Sequence, residues 1–262
     1  MPITKTLIVG ANGLIGEELM AFLPKNNIPV IGTTRSSKQL LGYTSLVYDL
    51  NEDLDKKIDL SNIDWCILCA AETSIKECEK NQNNSSNINV VRTINLIDRC
   101  IESGVKVIFF SSDSVFDGTK AFYTLSDQTC PITEYGKYKL EVEKYISLHC
   151  KDLCCVIRLT KVISNKTPII KKWKQDLSKG KKISAFTNKF LSPLPIQNLC
   201  DLVLTIIKRD LNGTFQLGGI KEISYYDFAK EYFGINTEIL PTETDEPKRH
   251  ASLEAILPTY EI

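Results

Sequence analysis

Apolar positions in the first 160 residues follow two rhythms. Short, almost continuous runs (TLIVG, VIGTT, SLVYDL, WCILCAA, VKVIFFSS and CCVIRL) alternate with longer stretches whose apolar residues recur at helical spacing (LIGEELMAFLP, INVVRTINLIDRCIES and YGKYKLEVEKYISLH). A strand is nearly all apolar when both faces of its sheet are covered, whereas helical spacing gathers the apolar residues into one stripe. Strand alternating with helix predicts an α/β fold, a doubly wound parallel sheet with helices on both faces. The polar stretch NQNNSSN, residues 81–87, reads as a loop that caps a helix starting near Ile88.

After Leu159 the rhythm changes. IIKKWKQDLSKGKK is a basic helix closed by Gly180, followed by proline-containing loops, the helix IQNLCDLVLTIIKR, the short strand TFQLGG and a helix near YYDFAKEYF. The expected organisation is one domain over residues 1–160 and a smaller C-terminal lobe over 161–262, packed on the end of the sheet as a single compact unit.

Composition removes several classes of function. Of 262 residues, 43% are apolar and 24% charged, as in ordinary globular proteins. Lys plus Arg equals Asp plus Glu at 32 each, which leaves no electrostatic ground for a nucleic-acid or anionic-membrane partner. No apolar run approaches the roughly 20 residues that span a bilayer. The N-terminal MPITKTLIVGANG has no small-residue cleavage site and is not expected to act as a signal peptide. The nine cysteines, several inside apolar runs, are expected to be buried reduced thiols of a cytoplasmic protein. Cys66 and Cys69 have C-x-x-C spacing, but alternate strand residues face opposite ways, and no second pair completes a metal site.

Chemistry enters at GANGLIG, residues 10–16, between the first strand and the first helix. Bare backbone there lets a pyrophosphate approach, and a helix N-terminus favours its charge. Gly10, Asn12, Gly13, Leu14, Ile15 and Gly16 are therefore candidate dinucleotide contacts, and the sheet is expected to be Rossmann-like. At the end of the second strand, Thr34, Arg35 and Ser36 stand where an acid usually grips the ribose of NAD. A guanidinium and hydroxyls suit a 2′-phosphate, so NADPH is favoured, with NADH left open. Asp49 and Leu50 are placed near an adenine, and Ala70 and Ala71 are small enough for a cofactor to pass over.

TEYGKYKLEVEKY puts Tyr135 and Lys139 one helical turn apart on one face. A tyrosine works as an acid or base when its pKa moves toward neutrality, and a nearby ammonium does this by stabilising the phenolate. Upstream, SSDSVFDG ends the fifth strand with Ser112 and Asp113 at the mouth where such sheets bind ligands. Val115 and Phe116 are expected to pack inward, and Asp117-Gly118 to make the turn.

The order of glycine loop, serine-ended strand and Tyr-x-x-x-Lys resembles the extended short-chain dehydrogenase/reductase superfamily, most closely the dTDP-4-dehydrorhamnose reductase family. GANGLIG, CAAET, the asparagine of NINVVRTINL, FFSSDSVFDG, YGKYKLEVEKY, VIRL and KRHASL carry the resemblance over most of the chain. It implies that Ser112, a threonine in most of that family, holds a substrate carbonyl oxygen. Tyr135 then donates the proton, Lys139 supports it, and Asp113 faces the sugar. Related dehydratases carry a glutamate at the position of Ser114, so dehydration is disfavoured. Asn89 is expected to bond backbone near the site. Where the family carries a tryptophan this chain has Lys161, and Thr187 and Asn188 replace an acid and an amide. Lys161 and Arg249 are the candidate contacts to an anionic substrate. The implied activity is NADPH-dependent reduction of a 4-keto-6-deoxy nucleotide sugar for surface polysaccharide or deoxysugar biosynthesis. A non-catalytic NADP-binding regulatory subunit, like that of methionine adenosyltransferase, and a nucleotide-sugar epimerase are the alternatives, and a homodimeric assembly is left open.

Overall fold

The computed structural model describes residues 5–35, 45–51, 58–234, 236–246 and 249–255. The first half of the chain runs β1 (Thr6–Val9), α1 (Leu14–Phe22), β2 (Val30–Thr34), β3 (Ser45–Val47), β4 (Trp65–Leu68), α2 (Ile75–Lys80), α3 (Gln82–Ser86), a π-helical turn (Asn87–Arg92), α4 (Thr93–Glu102), β5 (Lys106–Ser112), α5 (Glu134–His149) and β6 (Cys154–Leu159). The second half runs β7 (Lys161–Ile163), α6 (Pro168–Ser178), β8 (Ile183–Phe186), β9 (Phe190–Leu191), β10 (Pro193–Pro195), α7 (Ile196–Arg209), β11 (Gly213–Leu217), β12 (Ile223–Ser224), α8 (Tyr225–Phe233) and β13 (Ile239–Thr242).

Among the described residues the main sheet has seven parallel strands in the order β11-β6-β5-β4-β1-β2-β3. Strand order reverses between β1 and β4, which opens a crevice at the carboxyl ends of those strands. Alternation along each strand divides the core into two layers. Ile8, Ile108 and Ile157 pack with Leu19 of α1 and Val203 of α7. Leu7, Val107 and Val156 pack with Leu96 of α4 and Val142 of α5. Cys66 lies in the second layer and Cys69 packs against the first, so the C-x-x-C pair is split across the sheet. All nine cysteines are free thiols.

Two elements differ from the sequence expectation. NQNNSSN is helical rather than a capping loop: α3 runs into the π-turn and α4, with Ser85 buried and 82–84 exposed. Continuity with the amphipathic helix that follows outweighs the weak helical propensity of its asparagines and serines. TFQLGG, assigned to the smaller lobe, supplies β11, which pairs in parallel with β6 and covers its edge. Helix α7 likewise returns to the main core.

The remaining C-terminal elements build their own core around the fully buried Trp173 of α6, whose ring lies 6.2 Å from Phe228 and Phe233 of α8. Strands β8 and β13 pair beside it. Among the described residues no helix is long and apolar enough to cross a membrane.

Candidate active site

The glycine loop has the geometry of an anion cradle. Gly10 sits at φ +85°, and a side chain there would meet the Ala70 backbone nitrogen at 2.7 Å. A Cβ on Gly16 would lie 2.4 Å from the Gly10 carbonyl oxygen, so only glycine lets α1 start this close to β1. Thr33 fastens the loop, accepting the Gly10 N–H on its hydroxyl at 3.3 Å and the Ala11 N–H on its carbonyl at 2.8 Å. No side chain caps α1 at Gly13, which leaves its first N–H groups to face a ligand. Asn12 is exposed beside them, with Leu14 and Ile15 half-buried. Arg35 is exposed just past β2 and Thr34 is buried; Ser36 lies outside the described residues. Ala70 and Ala71 are half-buried beyond β4. Asp49 accepts the Asn51 N–H at 3.0 Å in a tight turn, while Leu50 is buried in the core.

At the carboxyl end of β5 the chain turns sharply through 113–115, and α5 docks on that turn. Thr133 caps α5 by accepting the Gly136 N–H at 3.1 Å. A Cβ on Gly136 would stand 2.0 Å from the Ser114 carbonyl oxygen, so this glycine sets how closely Tyr135 approaches Ser112. Ser112 lies close enough to Tyr135 for its hydroxyl to act on the phenol's pKa. Lys139 is buried, donates to the Phe110 carbonyl oxygen at 2.8 Å, and stands 5.7 Å from the centre of the Tyr135 ring. The structure therefore brings Ser112, Tyr135 and Lys139 together. Tyr138 is committed elsewhere, donating to the Gln82 carbonyl oxygen at 3.3 Å.

The electrostatics differ from the expectation in one respect. Desolvation, reinforced by the charge on Asp113, drives the Tyr135 phenol well above its usual pKa, and the nearby Ser112 hydroxyl opposes this only in part. The phenol thus keeps its proton, as a proton donor must. Burial also holds the Lys139 ammonium down to about 8, against the pull of Glu143 one turn further along α5. In this arrangement Lys139 also fixes the end of β5 through Phe110.

Ser112 donates to Asp113 at 2.8 Å and lies 3.2 Å from the Ser114 hydroxyl. Burial pushes the Asp113 carboxyl up to about 6, opposed by the Ser112 hydrogen bond and by the charge of Lys161. Between the unfolded value and about 6 the folded chain holds a proton that the unfolded chain has lost, so this group's contribution to stability falls as pH rises. Asp113→Asn is expected to raise Tm by about 2–6 °C at pH near 8 and to leave it unchanged near pH 4. Thermal scans at both pH values check this, and equal shifts would contradict it.

Asp113 and Ser114 open onto a cleft of about 450 Å³ between the main sheet and the C-terminal lobe. Lys76, Lys189 and Arg249 line it, with Asp117, Glu246 and Phe190. Lys161 is exposed at the start of β7, close enough for its charge to act on Asp113. Asn188 clamps the lobe side, exchanging hydrogen bonds with the Thr244 backbone at 2.7 and 3.0 Å. Val115 and Phe116 are buried, and Asp117 makes the turn by accepting the Thr119 N–H at 3.0 Å, with Gly118 at φ +76°. Asn89, presented by the π-turn, grips both backbone groups of Glu72, at 2.8 and 2.9 Å, and so fixes the loop after Ala71.

Sequence reasoning missed Lys76, Lys189, Tyr225 and Glu222. Tyr225, at the start of α8, has its phenol pKa raised by burial and by the charge on Asp113. Among the described residues no cluster of His, Cys, Asp and Glu could hold a metal ion.

Residues 4–254 match the family described as the RmlD substrate binding domain. A probable low-salt glycan biosynthesis reductase, Agl14, of Haloferax volcanii is 26% identical over 86% of this chain and 77% of its own. The methionine adenosyltransferase 2 subunit beta of Xenopus tropicalis is 26% identical over 94% of this chain and 77% of its own. A crystal structure of dTDP-4-dehydrorhamnose reductase from Bacillus anthracis, in complex with NADP, superposes with a TM-score of 0.83 at 20% identity, covering 97% of this chain and 90% of that one. With its Rossmann-like sheet and a matching pattern that runs nearly end to end, the chain belongs to the RmlD substrate binding domain family.

Proposed function

We propose that the protein reduces the carbonyl of a 4-keto-6-deoxy nucleotide sugar with NADPH, in surface polysaccharide or deoxysugar biosynthesis. The observation that carries this reading is the meeting of Ser112, Tyr135 and Lys139 at the end of β5, beside a cleft whose lining mixes Lys76, Lys189 and Arg249 with Glu79, Asp113, Asp117 and Glu246. The loop at 10–16 suits the cofactor, since its glycines let β1, the loop and α1 pack closely enough to turn the uncapped N-terminus of α1 toward a pyrophosphate. Gly10, Gly13 and Gly16 would hold the phosphates, Arg35 the 2′-phosphate, and Ala70 and Ala71 would leave the path open above the strand ends. When bound, the reduced nicotinamide supplies the hydride.

The chain's own residues do the rest. Ser112 donates a hydrogen bond to the carbonyl oxygen, and Tyr135 delivers its proton to that oxygen as negative charge develops there. Lys139 holds both in register through Phe110 and keeps a positive charge behind the phenolate left on Tyr135. Arg249 and Lys76 suit the pyrophosphate of the substrate, while Lys189 is already paired with Glu246 at 2.7 Å, and Lys161 and Asp113 would stand beside the sugar. Arg35→Ala is expected to raise KM for NADPH about tenfold or more and to leave KM for NADH within about twofold. Steady-state kinetics with both cofactors check this, and equal effects would remove the cofactor preference.

The relative that is a subunit of methionine adenosyltransferase favours a second reading, a regulatory subunit that binds NADP without turning over. Stoichiometry separates the readings. A reductase consumes one NADPH per carbonyl lost, an epimerase isomerises the sugar with no net loss of NADPH, and a regulatory subunit does neither.

A further inference from the structure

One wall of the cleft is a strap, residues 249–255, which contributes Arg249, His250 and Ala251 to the lining. On one side it zips to the loop after β5. His250 donates its N–H to the Gly118 carbonyl oxygen at 2.9 Å, Tyr123 donates to Ser252 at 3.2 Å, and Glu254 donates to Tyr123 at 2.9 Å. On the other side a single carboxylate collects three strap groups. Glu222, just ahead of β12, meets the His250 Nδ1 at 2.5 Å and accepts the Ala251 N–H at 2.6 Å and the Ser252 hydroxyl at 3.0 Å. Its side chain is only 9% exposed, so water cannot readily replace it as acceptor. Ser252 in turn accepts the Phe122 N–H at 2.9 Å, at a residue held at φ +54°. Losing the carboxylate would strand the Ala251 donor and loosen the strap on which Arg249 enters the cleft.

We propose that Glu222 is the latch of this strap, and that it is a positioning residue for the anionic part of the substrate through Arg249. The substrate half of this proposal rests on the nucleotide-sugar reading above. The glycine loop lies elsewhere in the fold, so cofactor binding is independent of the latch.

The test uses the full chain, wild type and Glu222→Ala, with amide hydrogen exchange followed at Ala251 and calorimetric titration of dTDP, UDP and NADPH. The expected result for the variant is exchange at Ala251 faster by about tenfold or more, dTDP or UDP affinity weaker by about tenfold, and NADPH affinity within about twofold of wild type. Ser252→Ala is expected to move the first two readouts the same way by less, and it decides the matter if Glu222→Ala does not fold. Unchanged protection at Ala251 overturns the latch. A released strap with undiminished nucleotide affinity, or NADPH weakened in step, overturns the positioning role. A wild type that binds neither dTDP nor UDP refutes the nucleotide-sugar reading and the substrate role with it, while exchange at Ala251 judges the latch independently.

Discussion

Replacing Tyr135 with Phe is expected to lower kcat for carbonyl reduction by about 10³-fold while NADPH affinity stays within about twofold. The substitution removes one oxygen and keeps the ring, which packs with Cys78, Val90 and Tyr138. The loss is therefore chemical rather than structural. Neither helix neighbour can deputise for the missing proton: Tyr138 donates to the Gln82 carbonyl oxygen, and Lys139 is bound to Phe110 and carries the charge needed to support the phenolate. Single-turnover kinetics and a direct NADPH titration check the two halves separately. Turnover within about tenfold of wild type would remove Tyr135 from the chemistry.

The largest effect on stability is expected from Glu143→Ala. Glu143 and Arg158 form a buried ion pair at 2.7 and 3.1 Å, with side chains 8% and 10% exposed. Arg158 also donates to Gln216 at 3.3 Å and stands over the Phe116 ring at 5.2 Å, which ties α5, β6, β11 and the turn after β5 together. Removing the carboxylate leaves a buried guanidinium without its counter-charge, a cost of about 3–5 kcal/mol, or a fall in Tm of about 6–20 °C. Glu143→Leu combined with Arg158→Leu is expected to cost less than the sum of the single changes, because it buries no orphan charge. Glu143 also holds up the pKa of Lys139, so its loss should move the alkaline limb of kcat/KM below about 8. A Tm change under about 2 °C for Glu143→Ala would contradict this account of α5.

What was legible in the sequence had short range. VIGTT and CCVIRL coincide with β2 and β6, because a run apolar on both faces has few other places to go. The glycine loop was readable because strand, glycines and helix stand next to one another in the chain. NQNNSSN reads as a loop because the reason it is helical lies in its neighbours, not in its own residues. TFQLGG reads as a strand, but its partner β6 is more than fifty residues upstream, and nothing local names that partner. The site divides in the same way. Tyr135 and Lys139 are paired by helical spacing, whereas the burial that sets their pKa values is tertiary. Gly136 looks like a spacer until the Ser114 carbonyl oxygen appears against it. Glu222 acts on residues 28 to 30 positions away, across the mouth of the cleft, with no motif to announce it.

The most direct test of the reductase reading follows a label. The protein is incubated with NADPH deuterated at the transferable position and a panel of 4-keto-6-deoxy nucleotide sugars. Loss of reduced-nicotinamide absorbance and the mass of the product are then recorded. The expected result is consumption of the cofactor with one sugar of the panel, one deuterium on its new carbinol carbon, and neither signal with Tyr135→Phe. Unchanged absorbance across the whole panel, or an isomerised sugar without deuterium, would contradict it.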